Sequence, residues 1–113
     1  MRIADVLSSK GAAVATISPE TTVSQLLASL AALNIGAMVV VGPDGLAGIV
    51  SERDVVRKLH ERGGGLLGQP VSEIMTTVLA TCTPRDTVDH LVVLMTQNRV
   101  RHVPVLDDGR LAG

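Results

Sequence analysis

GIVSERD, residues 48–54, is the stretch from which the fold of this chain can be worked out. A short hydrophobic run ends there in a serine, two charged residues and an aspartate. The three residues LAG at 46–48 return as LAG at 111–113. This recurrence indicates an internal repeat, and a repeat decides the architecture before any single motif does.

Two copies of one unit account for almost the whole chain. ATISPETTVSQLL at 15–27 aligns with ATCTPRDTVDHLV at 80–92, a shift of 65 residues. NIGAMVVV at 34–41 aligns with NRVRHVPV at 98–105, a shift of 64, so we expect one inserted residue before the second LAG. The match in type and order along the chain predicts two copies of the same small fold.

The domain boundaries follow from this repeat. We predict a first unit at residues 1–62, a glycine-rich connector at 63–70 and a second unit at 71–113. The second unit stops before the strand exit and helix that GIVSERD begins in the first. We therefore expect its last strand and helix to follow Gly113 in the natural protein.

Each unit reads as a mixture of helices and strands. The pattern predicts short helices at 3–7 and 71–75, a β-branched strand around Val40, a tight Asp-Gly turn, and a helix from about Asp54 to Arg62. Thr83, Pro84 and Asp86 are typical of an N-cap, a first-turn proline and a third-position acid. Apolar residues at helical spacing define the two long helices: Val23, Leu26, Leu27 and Leu30, and Val88, Leu91, Val92 and Met95.

The composition excludes several classes of function. The net charge is −1, and residues 1–65 carry six basic and six acidic side chains, so we expect no nucleic-acid surface. Without Phe, Tyr or Trp, a planar ligand has to lie between aliphatic side chains. We expect no membrane span, no signal peptide and a cytoplasmic protein. Cys82 is the single cysteine, so neither an internal disulfide nor a thiolate-rich metal site is possible.

The duplicated order of elements resembles the CBS domain pair, or Bateman module. Gly48, Ile49, Val50, Ser51 and Asp54 carry the resemblance, together with the two Pro-containing stretches and VRHVPVLDDGRLAG. It covers residues 1–113 and implies an α/β fold of two pseudo-twofold-related units, each a small sheet packed against helices. It further implies a regulatory module that binds an adenosine compound between the units, forms a homodimer and signals to an unidentified protein partner.

Asp54 is the residue that we expect to contact the ribose of such a ligand. A carboxylate held at a helix start can accept hydrogen bonds from two adjacent hydroxyls. The free N–H groups of the helix also suit phosphate oxygens. Ser51 and Asp54 equally fit a capping box, in which both side chains only satisfy the backbone at the helix start. The resemblance favours the ligand interpretation, with Ser51 serving both purposes.

The resemblance also predicts the remaining lining of the cleft. Arg53 and Arg101 are the candidate cations for phosphate, and apolar side chains would hold the adenine. Gly36 departs from a pattern in related nucleotide sensors, where a basic side chain stands at that position, and this leaves the number of phosphates open. The predicted ligand-binding set is Gly36, Ala37, Met38, Ile49, Ser51, Arg53, Asp54, Thr83, Val88, Val100 and Arg101.

AMP or ATP is the expected regulatory ligand, with S-adenosylmethionine as an alternative that suits Gly36 better. A second alternative is a protein-interaction scaffold with empty clefts. A pseudo-symmetric second cleft, using Arg101 and His102 with Ser18, Val23 and Ile35, stays open.

The sequence offers no nucleophile–base arrangement or metal-ligand spacing, so we expect no catalysis, no metal and no required cofactor. Extra apolar residues on the long helices favour a homodimer: Ala28, Ala31, Ala32, Val93 and Leu94.

Overall fold

The computed structural model of the chain describes residues 1–11, 13–78 and 80–113. It is a mixed α/β protein, as predicted, with small sheets packed against helices. The backbone forms two compact units. The central unit is Ala15–Thr77, and the terminal unit combines Met1–Val14 with Val78–Gly113.

The central unit is built on a three-stranded sheet of order β1-β2-β3. β1 (Thr16–Ile17) runs parallel to β2 (Ala37–Gly42), and β2 runs antiparallel to β3 (Gly45–Ser51). The crossover helix α2 (Val23–Leu33) links β1 to β2, and α3 (Glu52–Arg62) begins directly after β3. Two short 3₁₀ helices close the unit: Gly64–Gly68 lies within the predicted connector, and Val71–Glu73 lies where the second short helix was predicted.

The core of the central unit lies between the helices and one face of the sheet. Side chains alternate along a strand, and Met38, Val40 and Val50 point to this side, with exposed fractions of 4% or less. The apolar stripe of α2 lies opposite, as its spacing predicted. The remaining buried members are Val23, Leu26, Leu30, Val55, Leu66, Val71 and Ile74.

The terminal unit has a smaller core. It contains α1 (Ile3–Lys10), α4 (Val88–Asn98) and an antiparallel pair of β4 (Leu106–Asp107) with β5 (Arg110–Leu111). Ile3, Cys82 and Val105 are its buried residues, and Leu7, Leu91, Leu94, Val103 and Ala112 pack around them. Leu94 therefore belongs to this core and does not extend an outer apolar surface.

The compact units exchange the leading segments of the two sequence repeats. In the central unit Thr22 and Pro70 form a bridge, flanked by Val23 N–H to Gln69 O (2.9 Å) and Val71 N–H to Thr21 O (2.8 Å). In the terminal unit the equivalent bridge joins Arg2 to Thr87. Each long helix is therefore entered beside a segment from the other repeat.

This pairing corrects the predicted start of the second long helix. α4 begins at Val88 with Thr87 as its N-cap, whose hydroxyl accepts from His90 N–H at 3.1 Å. Thr83, predicted as the N-cap, instead starts a separate turn in which its N–H donates to Asp86 Oδ2 at 2.8 Å. The bridge to Arg2 requires extended backbone at Thr87, so the helix cannot begin four residues earlier.

The predicted change of register between the repeats is wrong. The left-handed residues that end α2 and α4 are Asn34 (φ 53°) and Arg99 (φ 54°), which keeps the shift at 65. The turn pairs Gly42–Gly45 and Asp107–Arg110 keep it as well. Asparagine favours this conformation, but the asparagine of the second repeat lies one residue too early. The structural equivalent of Gly36 is therefore Arg101.

Gly48 is required because a neighbouring segment approaches β3 at this point. A Cβ atom there would lie 2.7 Å from Thr76 O and 3.0 Å from Met75 Sδ. Gly113, its equivalent at a shift of 65, meets the side chain of Leu7 in the terminal unit in the same way. The glycine of each LAG thus marks where the exchanged leading segment packs against the sheet.

We expect Gly48→Ala to lower the free energy of unfolding by about 1–3 kcal/mol, the usual cost of overpacking. The obstructing atom is a backbone oxygen, which cannot move aside as a side chain can. Urea unfolding followed by far-ultraviolet circular dichroism measures the change. Gly65→Ala is the control, because nothing lies within 4 Å of its added methyl group. Equal stability of Gly48→Ala and Gly65→Ala would contradict the close approach.

Candidate functional site

The exit of β3 into α3 is fixed by a complete capping box. Ser51 N–H donates to Asp54 Oδ2 at 2.8 Å, and Asp54 N–H donates to Ser51 Oγ at 3.3 Å. Ser51 Oγ also donates to Asp54 Oδ2 at 3.0 Å. Helix α3 consequently begins at Glu52, two residues before the predicted position. The capping interpretation of this motif is therefore realised in the structure.

The same contacts hold the Asp54 carboxylate in one orientation. Both bonds that Asp54 accepts go to Oδ2, and within the described residues Oδ1 accepts none. The residue is only partly buried. A ligand hydroxyl can thus reach a rigid, negatively charged acceptor without displacing the cap.

The sheet face opposite the core carries Ala37, Val39, Ile49 and Ser51. Ala37 pairs with Ser51 across β2 and β3, and Val39 pairs with Ile49. All four are partly buried. Met38 has the opposite orientation and lies in the core of the central unit, 4% exposed. The strand alternation therefore separates Met38 from the other predicted lining residues of β2 and β3.

Val39 is the residue on this face that the sequence analysis did not single out. It lies directly beside Ile49, and its side chain is half-buried. The period-two pattern of the strand was the signal that could have found it. Choosing alternate residues of the run from 37 to 40 would have selected Ala37 and Val39.

Glu52 lies beside Gly36 at the start of α3. Its N–H donates to Gly36 O at 3.0 Å, and its Oε1 is 3.5 Å from the position of a Cβ on Gly36. The N–H groups of Glu52 and Asp54 are thus already used, which reduces the capacity of this helix start for phosphate. Arg53 is exposed.

The other predicted lining residues lie in the terminal unit. Thr83 Oγ1 accepts from Arg85 N–H at 3.3 Å, and Val88 is the first residue of α4. Val100 follows the left-handed residue that ends α4, with its N–H donating to Met95 O at 3.1 Å. Thr83, Val88 and Val100 are partly buried, and Arg101 is exposed.

The family model of the CBS domain matches residues 3–61 and 71–113. The chain belongs to the CBS-domain family. It is 38% identical over 120 residues to the mitochondrial CBS domain-containing protein CBSX3 of Arabidopsis thaliana, covering 98% of this chain. The chain spans 58% of that relative's length.

Solved CBS-domain structures share the fold. A CBS-domain protein from Agrobacterium tumefaciens superposes with a TM-score of 0.92 at 41% identity, covering 99% of this chain and 84% of that one. A CBS domain protein from Pyrobaculum aerophilum, solved in complex with AMP, has a TM-score of 0.86 at 25% identity, with coverage of 100% and 85%. The CBS domain pair of protein MJ0100, solved with 5′-methylthioadenosine and S-adenosyl-L-methionine, gives 0.84 at 25% identity, with coverage of 100% and 86%.

Among residues 1–11, 13–78 and 80–113, no three His, Cys, Asp or Glu side chains are grouped for a metal ion. In the same part of the CBS chain, every helix is too short or too polar to cross a bilayer.

Cys82 of this CBS protein is buried in the terminal core. Its Sγ lies 3.8 Å from Pro104 O. Burial raises the pKa of the Cys82 thiol above its ordinary value, and the Asp86 carboxylate raises the pKa further. The neutral thiol is therefore the form that the fold retains.

This raised pKa predicts that stability falls as the solution becomes alkaline. Above about pH 8.5, the ordinary range of a free thiol, the unfolded chain loses the Cys82 proton while the folded chain keeps it, so the free energy of unfolding decreases. Urea unfolding at neutral and alkaline pH measures this slope. Cys82→Ala removes the thiol, so we expect the free energy of unfolding to fall less steeply with pH in this variant than in wild type. An unchanged slope would contradict the prediction.

Proposed function

We propose that this CBS-domain protein is a regulatory module that binds an adenosine compound, with Asp54 accepting hydrogen bonds from the ribose hydroxyls. The observation that supports the proposal most directly is the rigid Asp54 carboxylate, whose Oδ2 is held by Ser51 while Oδ1 takes no bond within the described residues. CBS-domain relatives in complex with AMP, and with 5′-methylthioadenosine and S-adenosyl-L-methionine, support the ligand class.

Apolar side chains would hold the adenine ring in the absence of aromatic residues. Ile49 and Ala37 are exposed enough on the outer sheet face to contribute. Val39, which lies beside Ile49, is added to the predicted set. Thr83, Val88 and Val100 of the terminal unit remain proposed members of the same site.

AMP or ATP is the nucleotide that the proposal tests first. Arg53 and Arg101 are the proposed phosphate partners, and both side chains are exposed. Gly36 and the adjacent Glu52 carboxylate make the strand exit less favourable to phosphate, which keeps S-adenosylmethionine as a specific alternative. No catalytic step is proposed for this site.

A homodimer and a regulated protein partner complete the proposal. On α4, Val92 and Val93 are 55% and 48% exposed, and on α2 Leu33 is 54% exposed. Exposed apolar side chains of this size favour a protein contact. Sedimentation equilibrium measures the oligomeric state, and the cytoplasm is the proposed location.

The second candidate function is a scaffold whose site stays empty. The capping box favours it, because Ser51 and Asp54 satisfy the start of α3 without a ligand. Such a protein would signal only through its helices. The two candidates differ in what the loss of Asp54 would do.

The decisive variant is Asp54→Ala, compared with Gln25→Ala. Gln25 Oε1 accepts Thr22 N–H at 3.0 Å, so Gln25 has the same capping position in α2 that Asp54 has in α3. Each substitution removes a cap and should cost about 1 kcal/mol of stability. Only Asp54→Ala should weaken ligand binding, by at least about tenfold, since hydrogen bonds to a charged group are worth about 1.5–3 kcal/mol.

Isothermal titration calorimetry measures this difference with AMP, ATP and S-adenosylmethionine as ligands. It suits a chain without tryptophan or tyrosine to report binding by fluorescence. A dissociation constant that is unchanged in Gln25→Ala and at least about tenfold higher in Asp54→Ala supports the sensor. A folded wild-type protein that gives no heat with any of the three would favour the scaffold. Heat with S-adenosylmethionine alone would select the alternative ligand.

A further inference from the structure

One row of backbone pairs crosses the whole sheet of the central unit at Ile49. Thr16 pairs with Val39, Val39 pairs with Ile49, and Ile49 pairs with Thr76. We refer to these four residues as the transverse row. Thr76 lies outside the named strands, yet its N–H donates to Ile49 O at 2.8 Å and Ile49 N–H donates back to Thr76 O at 3.0 Å.

Both ends of the transverse row lie at the points where the chain passes between the two compact units. The chain leaves the terminal unit at Val14 and enters the central unit at Ala15, next to Thr16. It leaves the central unit after Thr77, next to Thr76. Ala15 is hydrogen-bonded to a member of the row, because its carbonyl accepts from Val39 N–H at 3.1 Å.

The middle of the row is the part that a bound ligand would touch. Ile49 lies two residues before Ser51 on β3, and Ile49 and Val39 are half-buried side by side on the outer sheet face. Two backbone hydrogen bonds join Ile49 to Thr76, and one joins Val39 to Ala15. Because the backbone groups of Ile49 face Thr76, Val39 and Ile49 form a non-hydrogen-bonded antiparallel pair, in which the two side chains lie close together. A change in the position of Ile49 is thus passed to Thr76 on one side and, through Val39, to Ala15 on the other.

Gly48 keeps the Thr76 end of the row in place. The close approach of Thr76 O and Met75 Sδ to Gly48 leaves no space for a side chain. Residues 75 and 76 are therefore held by close packing at residue 48 as well as by hydrogen bonds at Ile49. These contacts restrict Thr76 on two sides.

We propose that the transverse row is the mechanical link through which occupancy of the Asp54 site reaches the terminal unit, with Thr76 and Gly48 as positioning residues. The inference rests on the proposed function, because it requires a ligand at Ile49 and Asp54. It adds the route of regulation. A ligand that orders Ile49 would tighten both crossing points at once, and a partner bound to the terminal unit would respond to that change.

Amide hydrogen exchange measured by NMR tests the link in the wild-type chain, with AMP and S-adenosylmethionine as probes at concentrations that saturate the calorimetric heat. The reporting amides are those of Val39, Ile49 and Thr76. Val23 and Val71 are the controls, because they donate to Gln69 O and Thr21 O in the same unit but outside the row. Global stabilisation by a ligand slows all amides that exchange through unfolding equally.

The expected result is that ligand slows exchange at the three amides of the row by at least about tenfold more than at the two controls. Equal slowing at all five amides, or slowing at Ile49 without Thr76 and Val39, overturns the link while leaving the proposed function intact. An absence of calorimetric heat with every probe overturns both. The two failures are therefore distinguished by calorimetry.

Gly48→Ala tests the positioning role without any ligand. Its added methyl group should push Thr76 away and speed exchange at Thr76 and Ile49 at least about tenfold relative to Val71. Gly65→Ala should leave these ratios unchanged. Unaltered exchange at Thr76 in a folded Gly48→Ala chain overturns the positioning role. If that variant fails to fold, the wild-type comparison decides.

Discussion

The pairing of each long helix entry with the leading segment of the other repeat is the constraint on which the structure depends. The bridges Thr22–Pro70 and Arg2–Thr87 hold residues before α2 and α4 in extended backbone, and so fix where each helix starts. The same exchange places Met75 and Thr76 against Gly48, and Leu7 against Gly113. The contact at Gly48 lies on β3, the strand that ends at Ser51.

The capping box at Ser51 and Asp54 shows that structural and binding roles are compatible in one motif. The cap uses one oxygen of the carboxylate and, by doing so, fixes the direction of the other. A flexible surface aspartate would lose side-chain entropy on binding a ribose. Asp54 has already lost it on folding, so the cap favours the proposed ligand contact energetically.

Much of the fold could be predicted from the sequence, because the repeat and the hydrophobic periodicity can both be read from the order of residue types alone. The apolar stripe of α2 and the buried residues Val40 and Val50 follow from them. The start of α4 could not be predicted, because the backbone of Thr87 is set by Arg2, which is distant in the sequence. The alignment of the repeats was wrong by one residue because Asn98 was matched to Asn34 as the same residue type. The residue that adopts the left-handed conformation of Asn34 in the second repeat is Arg99.

The candidate site was predictable to a similar degree. Ser51 and Asp54 stand out in the sequence, and the structure joins them. The opposite orientations of Met38 and Ile49 follow from strand alternation, which a contiguous selection of residues ignores. The proximity of Glu52 to Gly36 depends on how α3 leaves β3, and the pairing of Thr76 with Ile49 depends on the chain returning to the sheet. Neither has a signature in the sequence.

The discontinuity of the terminal unit has a consequence for how the chain is made. The central unit is one continuous stretch, Ala15–Thr77, so all of its residues have been synthesised once Thr77 is added. Helix α1 precedes the central unit in the chain, yet its partners Cys82 and Val105 are translated after the entire central unit. Because domains tend to fold as units during synthesis, we expect the apolar residues Ile3 and Leu7 to lack their core partners until the second repeat has been translated. Asp5 lies between these two residues and Ser8 and Ser9 follow them, so α1 also carries polar side chains that water can solvate during this interval.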